Sequence, residues 1–152
     1  MDLNLMLHAR KAQILAEAVR SVDRARLEHY ERAGDAVVRQ RLGDLLGLVM
    51  DALRNRDLGP VLAHADAVAV QRFEAGVDLS EVQAAFNVLE EILWRRILEE
   101  LPAEAQAEAL GLVATVLGAG KDRLARTYVS LATRTRAPSL DPQALFAGSA
   151  GC

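Results

Sequence analysis

Apolar residues recur at intervals of three and four along most of this chain of 152 residues. The clearest run comprises Val38, Leu42, Leu45, Val49 and Leu53. This spacing places all of their side chains on one face of an α-helix. No segment alternates apolar and polar residues with the β-branched enrichment of a strand, and only four prolines interrupt the chain. The sequence therefore predicts an all-α fold.

Residues that end and start helices divide this pattern into five predicted helices. Their approximate bounds are 3–32, 36–54, 58–75, 79–101 and 103–133. Helices of this length joined by short loops favour packing against their neighbours in opposite directions. We therefore expect an antiparallel helical bundle of about five helices, with a globin-like arrangement as an open alternative.

The boundary between the third and fourth helices has the most complete set of signals, in the stretch RFEAGVDLSEVQ at 72–83. Gly76 can adopt the left-handed conformation that closes a helix. Asp78 can accept hydrogen bonds from the first amides of the next helix, and Glu81 can complete a capping box. The stretch predicts a tight reversal of the chain.

The domain organisation follows from where the periodicity stops. Residues 1–134 form the predicted helical domain. Beyond it, APSLDPQALFAGSAGC is rich in small residues, proline and glycine, which is typical of a linker. We expect 135–152 to be a flexible C-terminal tail or linker.

Charge and composition exclude several classes of partner. The net charge is −3, from 18 basic and 21 acidic residues, so no basic excess favours binding to nucleic acid. Charged residues interrupt every apolar run before it could span a membrane, and the N-terminus lacks the order of a secretory signal. The one cysteine, Cys152, is the last residue, which excludes an internal disulfide. A cytoplasmic protein without membrane or nucleic-acid partners is the simplest interpretation.

The sequence lacks the residue patterns of catalytic and metal sites. Its histidines, His8, His29 and His64, are far apart, and no ExxH motif, nucleophile elbow or phosphate-binding loop occurs. We therefore predict a protein that is not an enzyme and needs no cofactor. Haem stays open as an alternative, because His29 is close to an inward helical face and His64 flanks another.

Three basic residues lie in line with apolar stripes: Arg72, Arg96 and Lys121. A buried cation without a partner is costly, so each must reach solvent, form an ion pair or bind an anion. All three alternatives stay open at this point. If the third holds, the candidate ligand-binding residues are Arg72, Arg96 and His29.

Trp94 projects away from the main apolar stripe of its predicted helix. Leu98 follows one turn later, and Asn87 precedes it on the same side. Such a tryptophan is either covered by another helix or exposed at an interface, where this residue type is enriched. Trp94, Leu98 and Asn87 are therefore candidate interface residues, and we expect a homodimer.

The stretch LAHADAVAVQRFEAGVDLSEVQAAFNVLEEILWRRILEELP, at 62–102, resembles the N-terminal domain of the RsbR-type co-antagonists of bacterial general-stress signalling. The matching residues are Arg72, Gly76, Leu79, Glu81, Ala85, Leu89 and Trp94. The resemblance implies a dimeric helical sensory domain without enzymatic activity, which acts through a partner protein or a tethered output domain. No anti-sigma-antagonist (STAS) domain follows in this sequence, so we expect either a stand-alone sensor subunit or a fragment.

Overall fold

A computed structural model describes residues 1–25, 27–133 and 142–148, without the side chains of residues 28, 29 and 145. Within these ranges every regular element is a helix, so the all-α prediction is confirmed. The seven helices are α1 (Leu3–Ala25), α2 (Glu28–Ala33), α3 (Asp35–Asn55), α4 (Gly59–Glu74), α5 (Leu79–Glu100), α6 (Ala103–Thr133) and α7 (Pro142–Gly148).

The helix count exceeds the predicted five because two segments differ from expectation. The predicted first helix is divided, since α1 ends at Ala25 and α2 begins at Glu28, with Leu27 in an extended conformation between them. In addition, α7 lies within the predicted tail. The division into 1–134 and 135–152 stays a prediction, because 134–141 and 149–152 lie outside the described residues.

The directions of the helices follow from the residues that meet across them. On α1 and α5, Arg96 bonds to Glu17 while Arg10 bonds to Glu100, so these two helices are antiparallel. By contrast, α4 and α6 run in the same general direction, because Asp66 contacts Arg123 while Phe73 contacts Tyr128. The described fold thus departs from an antiparallel bundle in this pair. The globin-like alternative stays a prediction.

The core lies where α6 packs on α4 and α5, and where α1 packs on α3 and α5. Gly120 of α6 marks the closest approach. A Cβ atom there would lie 2.7 Å from the Cε1 atom of Phe86 and 3.3 Å from the Cγ1 atom of Val61. The absence of a side chain at Gly120 therefore lets helices α4 and α5 approach α6 closely at one level.

A bidentate salt bridge connects α4 to α6. Arg123 donates from Nε and Nη2 to the two carboxylate oxygens of Asp66, at 2.9 and 3.0 Å, and the Thr127 hydroxyl donates to the same carboxylate at 2.8 Å. Burial acts to raise the pKa of Asp66, but the hydrogen bonds from Arg123 and Thr127 outweigh it and hold the pKa below its usual value. The folded state therefore favours the ionised carboxylate.

This lowered pKa makes part of the stability depend on pH. A carboxyl whose pKa is lower in the folded state stabilises the fold above its unfolded pKa of about 3.9, and the contribution is lost as the pH falls through the folded value. We expect Asp66→Asn to be less stable than wild type at neutral pH, with a difference that shrinks below about pH 4. Urea unfolding over a pH series measures this difference. Asp51→Asn, at an exposed position, should not reproduce the trend.

Helix α7 packs against the connection between α3 and α4. The Phe146 side chain is buried, and the Arg56 guanidinium lies 5.7 Å from the centre of its ring. The Leu58 N–H donates to the Gln143 Oε1 atom at 2.8 Å. Arg56 also has a φ of 52°, a left-handed conformation that is unfavourable for a residue with a side chain. The contacts of α7 are therefore made with the turn that contains this unfavourable backbone conformation.

Candidate functional site

The turn between α4 and α5 fixes the position of Arg72. The Val77 N–H donates to the Arg72 carbonyl at 3.0 Å, and the Gly76 N–H donates to the Phe73 carbonyl at 3.1 Å. These two bonds form a Schellman motif, in which Gly76 has a φ of 75°. Gly76 therefore closes α4 as predicted, and Arg72 lies in the last turn of that helix.

The start of α5 and the end of α6 hold the other side of this turn. Asp78 accepts a hydrogen bond from the Ser80 N–H at 2.9 Å, which confirms its predicted role as a cap. The Tyr128 hydroxyl donates to the Val77 carbonyl at 3.1 Å, and its ring packs edge-on against Phe73 at 5.7 Å. The backbone that carries Arg72 is thus held by three helices.

Beside this turn lies a cavity of about 240 Å³ between α2, α3, α4 and α5. Its described lining residues are Tyr30, Arg32, Ala33, Arg41, Arg72, Ala75, Val77, Glu81 and Val82. A second cavity, of about 180 Å³, shares Tyr30, Arg41, Arg72 and Val82 with the first and extends to His64. Because these walls are shared, we treat the two cavities as one site, the α2–α5 cleft.

Arg41 and Arg72 are the central cations of the cleft. Both are partly buried, and neither forms an ion pair with any described carboxylate. Burial lowers the pKa of the Arg41 guanidinium, Arg72 lowers it further, and Tyr30 partly opposes this effect. The two positive charges are therefore close enough to disfavour each other.

The uncharged groups of the cleft are Tyr30 and His64. Burial raises the pKa of the Tyr30 phenol; Arg72 and Arg41 act to lower it, while Glu81 and Tyr128 act to raise it. The hydroxyl thus stays protonated at neutral pH and can donate a hydrogen bond. Burial also lowers the pKa of His64, against the opposing charge of Asp44, so the imidazole is predominantly neutral at pH 7.

The cleft is small for the haem that the sequence left open. Cavities that bind drug-sized molecules are commonly about 300–1,000 Å³, whereas the two parts of the cleft measure about 240 and 180 Å³. A ligand that fits one part of the cleft as it stands is therefore smaller than haem. The side chain of His29 belongs to the undescribed part of the chain, so its predicted role as a ligand stays a prediction.

The other two cations from the apolar stripes lie elsewhere and are paired. Arg96 contacts Glu17 at 3.2 Å and Glu100 at 3.5 Å. Lys121 contacts Glu90 at 2.7 Å. Arg96 is therefore not brought together with Arg72, and ligand binding by Arg96 stays a prediction.

Two cleft residues escaped the sequence-based prediction. Tyr30 lines the cleft from α2. No proline or glycine marks the break between α1 and α2 in the sequence. Arg41, however, lies three residues after Val38 and four before Leu45, on the apolar stripe of α3. The same signal that singled out Arg72 could have found Arg41. Glu81, predicted to complete the capping box, is buried in the wall of the cleft.

The predicted interface residues lie on α5, away from the cleft. The side chains of Trp94 and Leu98 are exposed, with 42% and 54% of their surface accessible. Asn87 accepts a hydrogen bond from Lys121 at 3.0 Å. Together with Glu91 these residues form an exposed row at 87, 91, 94 and 98, which we name the α5 seam. An interface at the seam stays a prediction.

Across the described helices, none is both long and apolar enough to cross a lipid bilayer. No curated protein and no solved structure is significantly similar to the chain. One family model does match, that of the RsbT co-antagonist protein rsbRD N-terminal domain, and it covers residues 12–144. This range includes the cleft, the α5 seam and most of the described helices. The chain therefore belongs to the RsbT co-antagonist protein rsbRD N-terminal domain family, a family of regulatory domains in stress signalling.

Proposed function

We propose that the chain is a non-enzymatic, cytoplasmic regulatory domain that forms a homodimer through the α5 seam and relays a signal to a partner protein or a tethered output domain. The observation that carries the proposal is the exposed pair of Trp94 and Leu98 on a helix whose opposite face belongs to the core. Large apolar side chains exposed side by side mark contact surfaces more often than scattered ones do. Membership of a regulatory family agrees with this function.

The spacing of the α5 seam supports a second helix as its occupant. Residues 87, 91, 94 and 98 are separated by four, three and four positions, which is the repeat of a coiled-coil seam. The inward residues Leu89, Leu93 and Ile97 are buried on the other side of α5. The helix therefore has a second face, on which Trp94 and Leu98 stay exposed within the described part of the chain.

Two charges, one in the α5 seam and one next to it, favour a second copy of the same chain. Glu91 and Arg95 are both exposed, one turn apart, next to Trp94. In a two-fold symmetric contact between antiparallel copies of α5, Glu91 of one copy faces Arg95 of the other. A single surface that carries both signs in this order is self-complementary.

The oligomeric state tests the proposal. We expect wild type to sediment as a dimer at high micromolar concentration, and Trp94→Ala to raise the dimer dissociation constant about tenfold or more, because buried tryptophans dominate many interfaces. Leu98→Glu should have a similar effect, since it places a charge in the seam. Analytical ultracentrifugation over a concentration series measures both constants.

Val70→Glu is the matched control, because it puts the same charge at an exposed apolar position of α4. It should leave the dimer dissociation constant unchanged. A wild-type chain that stays monomeric throughout the series would refute the dimer. A dimer that tolerates both seam substitutions would show that the interface lies elsewhere.

A further inference from the structure

We infer that the α2–α5 cleft binds a small organic carboxylate, which Arg41 and Arg72 hold between them. The inference builds on the proposed regulatory function, because it gives the domain a ligand whose presence it can report. The ligand is a single carboxylate group on a compact apolar body. Four observations about the cleft lead to this class of molecule.

The first observation is that neither Arg41 nor Arg72 forms an ion pair with a described carboxylate. Arg96, Lys121 and Arg123 are also partly buried, and each contacts a carboxylate at 3.2 Å or less. Arg41 and Arg72 have no such contact within the described residues, although they adjoin one another. Two neighbouring guanidinium groups that lack such a contact present up to ten N–H donors to the cavity, and the planar fork of each group matches a carboxylate.

The second observation is a third donor in the same wall. Tyr30 lines the same cavity as both arginines and feels the charge of each, and it belongs to α2, whereas they belong to α3 and α4. A protonated phenol can add one hydrogen bond to an anion that the guanidinium groups already hold. Donors from three helices then converge on one volume.

The third observation is the size and polarity of the cleft. Each water molecule of the liquid takes up about 30 Å³, so the cavity of about 240 Å³ offers room for a molecule of ten or so heavy atoms. Ala33, Ala75, Val77 and Val82 supply an apolar part of its lining. These walls suit a hydrocarbon body better than a second charged group.

The fourth observation restricts the charge of the ligand. Glu81 is buried in the same wall, so a dianion such as phosphate meets stronger repulsion there than a monoanion does. The described lining of the whole cleft carries three positive charges, on Arg32, Arg41 and Arg72, against two negative charges, on Glu81 and Asp44. One net positive charge is left, which a monocarboxylate balances and a dianion such as phosphate exceeds.

Benzoate is the probe, with benzamide as its neutral analogue of nearly equal shape. The full chain is titrated with each compound, and with inorganic phosphate, while amide chemical shifts are followed by NMR. We expect saturable shifts with benzoate that centre on Tyr30, Arg41, Arg72 and Val82. Benzamide and phosphate should bind at least about tenfold more weakly. Equal binding of benzoate and benzamide, no binding of benzoate, or stronger binding of phosphate would each overturn the inference.

Substitutions separate a binding role from a structural one. Arg72→Gln and Arg41→Gln should each weaken benzoate about tenfold or more, because each removes a charge-assisted contact. Neither should lower the thermal midpoint, since each relieves repulsion between like charges. Arg39→Gln, at an exposed position of α3, should leave benzoate affinity unchanged. Unchanged affinity in both cleft variants would overturn the inference, as would equal weakening in the Arg39 variant.

The two proposals can fail independently. Benzoate binding is measured on the wild-type chain whatever its oligomeric state, and none of the cleft variants alters the α5 seam. A dimer that binds no carboxylate refutes the inference alone. A monomer that binds benzoate through Arg41 and Arg72 refutes the proposed dimer alone.

Discussion

Gly120→Val should lower the free energy of unfolding by about 2–3 kcal/mol, although valine is a better helix former than glycine. The reason is the 2.7 Å that separates a Cβ atom at this position from the Phe86 ring, which is itself buried. Two further methyl groups must then displace Phe86, Val61 or the helices that carry them. Urea unfolding followed by far-UV circular dichroism measures the loss.

Gly118→Ala is the matched control, because a Cβ atom there has no neighbour within 4 Å. It should raise stability by up to about 1 kcal/mol through helix propensity alone. Phe86→Leu tests the contact itself. In a double-mutant cycle, Phe86→Leu should cost at least about 1 kcal/mol less stability in the Gly120→Val background than in wild type. Additive effects of the two substitutions would show that the Phe86 ring is not what valine meets.

Phe146→Ala should release α7 from the turn between α3 and α4. Truncation of a buried phenylalanine commonly costs about 3 kcal/mol or more, and here the loss falls on a helix of seven residues. The Leu58 amide reports the release directly, because it precedes α4 and its described hydrogen-bond partner is Gln143 on α7. We expect hydrogen exchange at Leu58 to accelerate by about a hundredfold.

Phe73→Ala provides the comparison for this prediction. Phe73 is the same residue type at a more exposed position, and it packs on Tyr128 at a distance from the α3–α4 turn in the sequence. It should leave exchange at Leu58 unchanged. Equal protection of Leu58 in Phe146→Ala and wild type would show that α7 does not hold this turn.

Local signals were sufficient for most helix boundaries. Gly76 closes α4 and Asp78 caps α5 where the sequence placed them, and α6 begins and ends at the predicted residues. Each of these signals acts through the backbone of its own neighbourhood. Such boundaries can be predicted from one sequence because no distant residue is needed to create them.

The features that could not be predicted depend on contacts between distant residues. Phe146 stands in a segment of small residues without helical periodicity, and its burial near Arg56, together with the hydrogen bond from Leu58 to Gln143, makes that segment part of the fold. The end of α1 at Ala25 likewise has no proline or glycine to mark it. In both places tertiary packing decides the local structure.

The candidate site was predictable in kind but not in composition. A cation on an apolar stripe singled out Arg72, Arg96 and Lys121 with equal force. Whether each cation forms an ion pair depends on which helix lies opposite. Arg96 pairs with Glu17 of α1, whereas Arg72 forms no ion pair with a described carboxylate. The pairing of Arg72 with Arg41 is a property of the assembled helices.

Trp94 has an optical consequence, since it is the one tryptophan of the chain and 42% of it is accessible. Tryptophan fluorescence, when excited selectively, therefore reports on the α5 seam. It does not report on the α2–α5 cleft, whose described lining lacks Trp94. Covering the indole with a second copy removes it from water and should shift its emission to the blue. Trp94 is thus an intrinsic fluorescent probe of the surface proposed for self-association.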